Sequence, residues 1–235
     1  FVKQISADNK LKESSPDQYK GLSDYYGIVH ASTKQNAQNL AKGYIESLYA
    51  TYPANLVEAY IEGLFVNLTS GTVYTSYNRK LNNTDRVVKD GDHLHIGMDF
   101  DTPAMIKAIE SKYPGHRITI YPDASGQNRK SSNASETDIS QLKKAFRVNA
   151  RTKNPFVKDR IASVQGMLCN ALNERRYFIN DVTATETCES LEQQIYNKQG
   201  EPDKSHDNDH PNDALGYYIH NQFPIRARVG RLNID

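Results

Sequence analysis

Apolar residues recur every three or four positions over residues 41–64, which predicts a helical pair, and Pro53 stands where the second helix would begin. A polar stretch over residues 78–92 separates this region from a chain of different rhythm. We therefore expect a partly helical first part, residues 1–88, and a second part, residues 89–235. The apolar content of residues 25–30 is typical of a short strand, and that of residues 65–68 and 72–74 is typical of short strands or an extended linker.

The second part alternates strand and helix patterns. Residues 93–99 alternate apolar with polar side chains and predict a strand that ends at Asp99. Thr102 and Pro103 then provide an N-cap and a first-turn proline for a helix. The following segments predict a strand over 117–121 that leads to Asp123, a helix over 157–173, a strand over 177–182, and helices over 186–196 and 213–223. Such alternation favours an α/β fold, a sheet with substantial parallel pairing flanked by helices.

Composition narrows the class of protein. Hydrophobic residues make up 37% of the chain, charged residues 24%, and the mean hydropathy is −0.72. No apolar run approaches the roughly 20 residues of a membrane span, so we expect no membrane partner. Cys169 and Cys188 lack the spacing of a zinc site or disulfide framework, which favours a reducing compartment and predicts a cytoplasmic protein. No glycine-rich nucleotide-binding loop occurs.

Charge is unevenly distributed. The net charge is only +1, but residues 127–176 contain eleven Lys and Arg against four Asp and Glu. A basic segment beside an acidic remainder is typical of a polyanion-binding protein, although a solvated basic surface would have the same composition.

Candidate chemistry lies with acids at strand and helix ends. Asp99 and Asp123 follow predicted strands, and Asp209 and Asp213 flank the start of the last helix. Side chains at the carboxyl ends of parallel strands converge on one crevice, and grouped carboxylates are what hard divalent cations such as Mg²⁺ require. Each aspartate taken alone is more often a turn former or helix cap. Asp181 also ends a strand, so position alone does not choose among the candidates.

A zinc site is a less favoured alternative. His93 and His95 lie two residues apart on one strand face, a spacing that metal ligands use but that solvated faces show more often.

Four segments taken together resemble the RNase H-like nuclease domain at the C-terminus of the large terminase subunit of tailed double-stranded DNA bacteriophages. They are residues 96–100 (IGMDF), 121–126 (YPDASG), 158–170 (KDRIASVQGMLCN) and 209–217 (DHPNDALGY). Residues 1–88 resemble the end of that family's ATPase domain and its linker. The resemblance implies an RNase H-like mixed sheet flanked by helices, and a metal-dependent endonuclease that cuts concatemeric viral DNA during genome packaging in the host cell cytoplasm.

The resemblance also implies roles for individual residues. Asp99, Asp123 and Asp213 would hold two Mg²⁺ or Mn²⁺ ions, with Asp209 and His210 in or next to the ligand set, and Lys204 would lie near the scissile phosphate. The expected partners are double-stranded DNA, the portal protein and the small terminase subunit. The residues expected to contact DNA phosphates are Arg129, Lys130, Lys143, Lys144, Arg147, Lys158 and Arg160.

The sequence departs from the family pattern after the first strand. The family places two more antiparallel strands there, which would need roughly 25 residues at typical strand lengths, whereas Asp99 is followed almost at once by Thr102 and Pro103. Two other functions stay open. One is a non-catalytic packaging-motor module that binds the portal or small terminase, and the other is a different RNase H-like nuclease such as a junction resolvase.

Overall fold

The computed structural model describes residues 31–64, 71–99, 102–127, 137–205 and 208–225, with several further residues between 12 and 26. The helical pair predicted in the first part is present as α1 (Tyr44–Thr51) and α2 (Ala54–Tyr60), and Pro53 is the N-cap of α2 as expected. The candidate strands at 25–30 and 65–68 lie outside the described residues, apart from Tyr26.

The second part is built on a three-stranded parallel sheet. Its strands are β1 (His93–Met98), β2 (Arg117–Pro122) and β3 (Arg147–Val148), in the order β1-β2-β3. The helices are α3 (Thr102–Lys112), α4 (Asp138–Ala145), α5 (Val157–Leu168), α6 (Thr185–Gln193) and α7 (Asp209–Gln222). This architecture confirms the predicted α/β fold, a sheet flanked by helices. The antiparallel pairing that makes the fold mixed consists, among the described residues, of single bridges such as Thr72 with Ile195.

The two faces of the sheet have different partners. On one face Met98, Ile118 and Ile120 pack with Ile109 of α3 and Leu142 of α4 in a closed apolar core. Because side chains alternate along a strand, the intervening residues of β1 and β2 face the other way, toward α7. Burial of this apolar core fixes which residues of each strand can reach α7.

Helix α7 separates the sheet from a second apolar core. Leu215 and Ile219 of α7 pack there with Val164 and Leu168 of α5 and Leu191 of α6. Val73 and Tyr74, which precede the predicted boundary at residue 88, are also buried in it. The division at residue 88 remains a prediction, and the second core draws side chains from both sides of it.

Several local predictions were wrong. The strand expected over 177–182 is reduced to one parallel bridge, between Ile179 and Asn83, and the long helix ends at Leu168 instead of residue 173. Helix α4 and strand β3 were not predicted. Helix α3 begins at Thr102, and the structure forms no pair of strands between β1 and α3 in the residues it describes.

Both cysteines are free, with Cys188 buried in the second core. Among the described residues, every helix is too short or too polar to span a bilayer.

Candidate active site

Two acids follow neighbouring strands at the carboxyl edge of the sheet. Asp99 comes directly after β1 and Asp123 directly after β2. Met98 pairs with Pro122 in the parallel register, and the Asp123 amide donates to the Met98 carbonyl oxygen over 3.1 Å. The two acids therefore take the next position along adjacent strands, where side chains project to the same face.

Helix α7 brings two more acids to this edge. Asp209 is its first residue and Asp213 lies one turn later, so both project from the same side of the helix. His210 Nδ1 lies 2.9 Å from Asp99 Oδ2, which ties the start of α7 to the end of β1. We call Asp99, Asp123, Asp209 and Asp213 the carboxyl-edge acids.

A glycine in β1 allows α7 to lie this close to the sheet. A Cβ atom at Gly97 would overlap the backbone carbonyl of Ala214. One turn further along α7, the Tyr218 ring lies 5.7 Å from the His95 ring, so the helix runs antiparallel to β1. Gly97 thus permits the approach that carries the start of α7 to the carboxyl edge.

Asp123 is held by three donors. Tyr217 Oη donates to its Oδ2 over 2.5 Å, and Asn154 Nδ2 and the Ser125 amide donate to its Oδ1 over 2.7 and 2.5 Å. Desolvation acts to raise the pKa of this carboxyl, but the three donors together lower it below its ordinary value. Asp123 is therefore an ionised carboxylate of fixed orientation at neutral pH.

Asp213 has a different environment. Its Oδ1 accepts from Arg160 Nη2 over 2.5 Å, and the two side chains are only 16% and 6% exposed. Loss of hydration raises the pKa of the Asp213 carboxyl, because it outweighs the attraction of Arg160 and Lys204, and the negative charges of Asp99 and Asp209 act in the same direction. Burial thus opposes ionisation of Asp213, whereas the donors around Asp123 favour it.

Lys204 bridges the two acids of α7. Its Nζ lies 3.2 Å from Asp209 Oδ2 and 3.9 Å from Asp213 Oδ2. Asp209 is buried whereas the lysine side chain is 69% exposed, so the ammonium sits at the mouth of the site. Lys204, for which the family resemblance implies a place near the scissile phosphate, thus lies next to Asp209 and Asp213.

The donor chemistry at this edge suits a hard divalent cation, since it consists of carboxylate oxygens with an imidazole beside them. The positions of these groups, however, do not form a closed set of metal ligands. Within the described residues, no three His, Cys, Asp or Glu side chains are grouped so that they could hold one metal ion. The carboxylates instead point to protein donors: His210 on Asp99, Tyr217 on Asp123 and Arg160 on Asp213.

The structure separates the residues predicted to contact DNA. Lys143, Lys144 and Arg147 are exposed where α4 meets β3, toward the amino ends of the strands, and Lys158 is exposed in the first turn of α5. Arg160 is buried, and its guanidinium carbon lies 4.6 Å from the centre of the Tyr217 ring. Its expected place on an exposed phosphate-binding surface is therefore corrected. Arg129 and Lys130 lie outside the described residues.

The remaining alternatives lie away from this edge or have other contacts. His93 Nε2 lies 2.9 Å from Thr119 Oγ1, and His95 Nδ1 lies 2.8 Å from Tyr121 Oη, so both imidazoles contact hydroxyl groups of β2. The Asp181 amide donates to Asn83 at the single bridge beside the second core.

Sequence reasoning did not identify the residues that hold the acids. The position of Tyr217 beside the acids could have been predicted, because it lies four residues after Asp213 and therefore on the same side of α7. The hydrogen bond of Asn154 to Asp123 and the pairing of Arg160 with Asp213 could not have been predicted, since both depend on how distant segments pack.

Comparison with known proteins agrees with this architecture. The sequence model of the terminase RNaseH-like domain matches residues 93–222. A crystal structure of the large terminase from a thermophilic bacteriophage superposes with a TM-score of 0.57 at 18% identity and covers 82% of this chain and 54% of that protein. The same terminase in complex with ATP-γ-S gives a TM-score of 0.60 at 17% identity and covers 85% and 57%.

The chain therefore spans little more than half the length of these terminases, and at such identities the similarity shows the fold alone. No functionally curated protein gives a significant match. Because the matched region is more than half of the 235 residues, this chain belongs to the terminase RNase H-like domain family.

Proposed function

We propose that this chain is a metal-dependent endonuclease of a viral genome-packaging terminase, and that it cuts concatemeric double-stranded DNA by hydrolysis of phosphodiester bonds. The observation that carries the proposal is the meeting of Asp99, Asp123, Asp209 and Asp213 at one edge of the sheet in a member of the terminase RNase H-like family. Like charges placed near one another repel, and a bound divalent cation would offset that repulsion.

Asp99, Asp123 and Asp213 are the residues that would hold Mg²⁺ or Mn²⁺, with Asp209 and His210 beside them. Two such ions, when bound, stabilise the attacking and leaving oxygens of a phosphodiester displacement. The chain's own residues prepare the ligands. Tyr217 and Asn154 keep Asp123 ionised and oriented, and Arg160 fixes Asp213.

Lys204 is an exposed cation beside the acids, where a scissile phosphate would bind. Its exposed ammonium would stabilise negative charge that develops on a phosphate oxygen bound there.

The full terminase role goes beyond this domain. The chain spans 54–57% of the thermophilic phage's large terminase, and we take residues 1–88 as the end of an ATPase domain and its linker. In that setting the portal protein and the small terminase subunit would be its protein partners.

One observation favours a second function. No three of the described carboxyl-edge acids group around one point, and such a loss of grouping is expected of a site that no longer binds metal. The alternative is a packaging-motor module without catalysis that binds the portal or the small terminase.

Cleavage of a supercoiled plasmid at low salt, with Mg²⁺, Mn²⁺ or EDTA, separates the two functions. We expect nicking and linearisation that require metal and disappear in Asp123→Asn. The matched control is Asp181→Asn, which removes an acid beside the Asn83–Ile179 bridge, away from the carboxyl-edge acids, and should cut normally. Absence of cleavage by the unaltered chain, together with no heat of Mn²⁺ binding in calorimetry, would support the interaction module.

A further inference from the structure

A groove lined by cations lies at the opposite end of the sheet from the acids. The loop between α3 and β2 and the junction of α4 with β3 form its walls, and a cavity of about 440 Å³ lies between them. Arg117, Lys143, Lys144 and Arg147 line it and are all exposed, and Glu110 is the acid among the described lining residues. We call these four cations the amino-edge cluster.

The cluster comes from separate elements that converge. Arg117 opens β2, Arg147 opens β3, and Lys143 and Lys144 lie in the last turn of α4. The two lysines also suit the negative end of the α4 dipole, which is a structural reason for their position. Arg117 and Arg147 belong to strands, so the α4 dipole does not explain their positions.

The charges of Arg117 and Arg147 act on a histidine of the neighbouring strand. His93 begins β1 beside Arg117 in the parallel register. Desolvation lowers the pKa of the His93 imidazole, and the positive charges of Arg117, His95 and Arg147 lower it further. The positive charges of Arg117 and Arg147 thus disfavour a further positive charge on His93.

We infer that the amino-edge cluster is a second binding site for the phosphate backbone of duplex DNA, separate from the site where the backbone is cut. The inference rests on the proposed function in taking DNA as the polyanion. Asp123 lies six positions after Arg117, the first residue of β2, or about 20 Å at the rise of a strand. With one base pair per 3.4 Å, this distance corresponds to roughly six base pairs. The cluster would therefore hold the duplex to one side of the cut, and it would do so without reading base sequence.

The salt dependence of DNA binding tests this inference. The probe is a labelled duplex of about 30 base pairs, and its affinity is measured by fluorescence anisotropy in EDTA over a series of salt concentrations. Each lost phosphate contact reduces the slope of log K against log salt by about 0.9. Lys143→Gln/Lys144→Gln/Arg147→Gln should therefore lower the slope by about 2 to 3 and weaken binding most at low salt.

The matched control is Lys80→Gln/Lys89→Gln/Lys198→Gln, which changes net charge equally at exposed lysines elsewhere. It should keep the slope of the unaltered chain. An unchanged slope in the amino-edge variant, or an equal fall in the control, would overturn the inference. Circular dichroism establishes that both variants are folded.

This experiment distinguishes failure of the inference from failure of the proposed function, because binding in EDTA does not require cleavage. A lower slope without plasmid cleavage would leave the DNA contact standing and remove the nuclease. Cleavage with an unchanged slope would support the nuclease and remove the DNA contact at the amino-edge cluster.

Discussion

The two ends of the parallel sheet are built in opposite ways. At the carboxyl edge, acids are partly or fully buried and each is fixed by named donors, as Asp213 is by Arg160. At the amino edge, cations are exposed on long flexible side chains around an open groove. Chemistry requires oriented groups in a low-dielectric setting, whereas backbone binding requires only charge of the right sign.

This difference has an energetic consequence. Partly buried charged groups contribute strongly to stability because each depends on its partner, while exposed charges contribute little. Substitutions at the carboxyl edge should therefore alter folding, metal binding and cleavage together. Substitutions at the amino edge should alter DNA affinity alone.

The largest effect is expected at Arg160. Replacement of Arg160 by Met leaves the Asp213 carboxylate buried without its main partner and should lower the free energy of unfolding by about 3–5 kcal/mol. Chemical denaturation monitored by circular dichroism measures the loss. The double variant Arg160→Met/Asp213→Asn should recover most of it, since the unpaired charge is gone. A loss below about 1 kcal/mol in the single variant would mean that the Arg160–Asp213 pair contributes no more to stability than an exposed ion pair.

The next largest effect is expected at Gly97. Alanine there would press a methyl group into the Ala214 carbonyl and push α7 from β1, with a loss of about 1–3 kcal/mol in unfolding free energy. Cleavage should fall as well, because the start of α7 carries Asp209 and Asp213. Ile96→Val alters the same strand on its other face and should leave cleavage unchanged. If both variants cut normally, the position of α7 is not what assembles the site.

A smaller effect is expected at Tyr217. Tyr217→Phe removes one donor from Asp123 and should lower stability by about 1 kcal/mol. Partners of this kind typically change metal affinity by 10-fold or more when lost, so Mn²⁺ affinity measured by calorimetry should fall about tenfold. Tyr218→Phe is the neighbouring control, since its ring packs against Tyr121 and His95. Equal metal affinity in the two variants would refute the proposed role of Tyr217.

The smallest effect on stability is expected at the amino edge. Lys143→Gln, Lys144→Gln and Arg147→Gln should each change the unfolding free energy by no more than about 0.5 kcal/mol, because all three side chains are exposed. Thermal denaturation of the single variants measures this. A large loss in any one of them would indicate a structural cation and remove the contrast between the edges.

Sequence patterns predicted what depends on local periodicity. The strands that precede Asp99 and Asp123 and the helical pair α1 and α2 follow from alternation, spacing and Pro53. Helix α4 was missed although Thr137 caps it, because its capping box uses Ser140 where the usual signature has Glu or Gln.

Other features depend on tertiary partners and could not be predicted. A strand over 177–182 needs a neighbour, but the facing segment offers Asn82, whose side-chain amide bonds the carbonyl oxygens of Leu168 and Tyr177 in place of an extended ladder. At the site, the positions of Asp99 and Asp123 were readable from strand ends. The donors that orient them were not, since Asn154 and Arg160 reach the site only through packing.

The most direct test of the division between the two edges measures cleavage and DNA affinity on the same two variants. Asp123→Asn should bind duplex DNA as the unaltered chain does and fail to cut it. Lys143→Gln/Lys144→Gln/Arg147→Gln should bind more weakly, yet cut at an unaltered rate once the DNA concentration is saturating. If each variant instead loses affinity and saturated cleavage rate in parallel, the two ends of the sheet form one site and are not divided between cutting and binding.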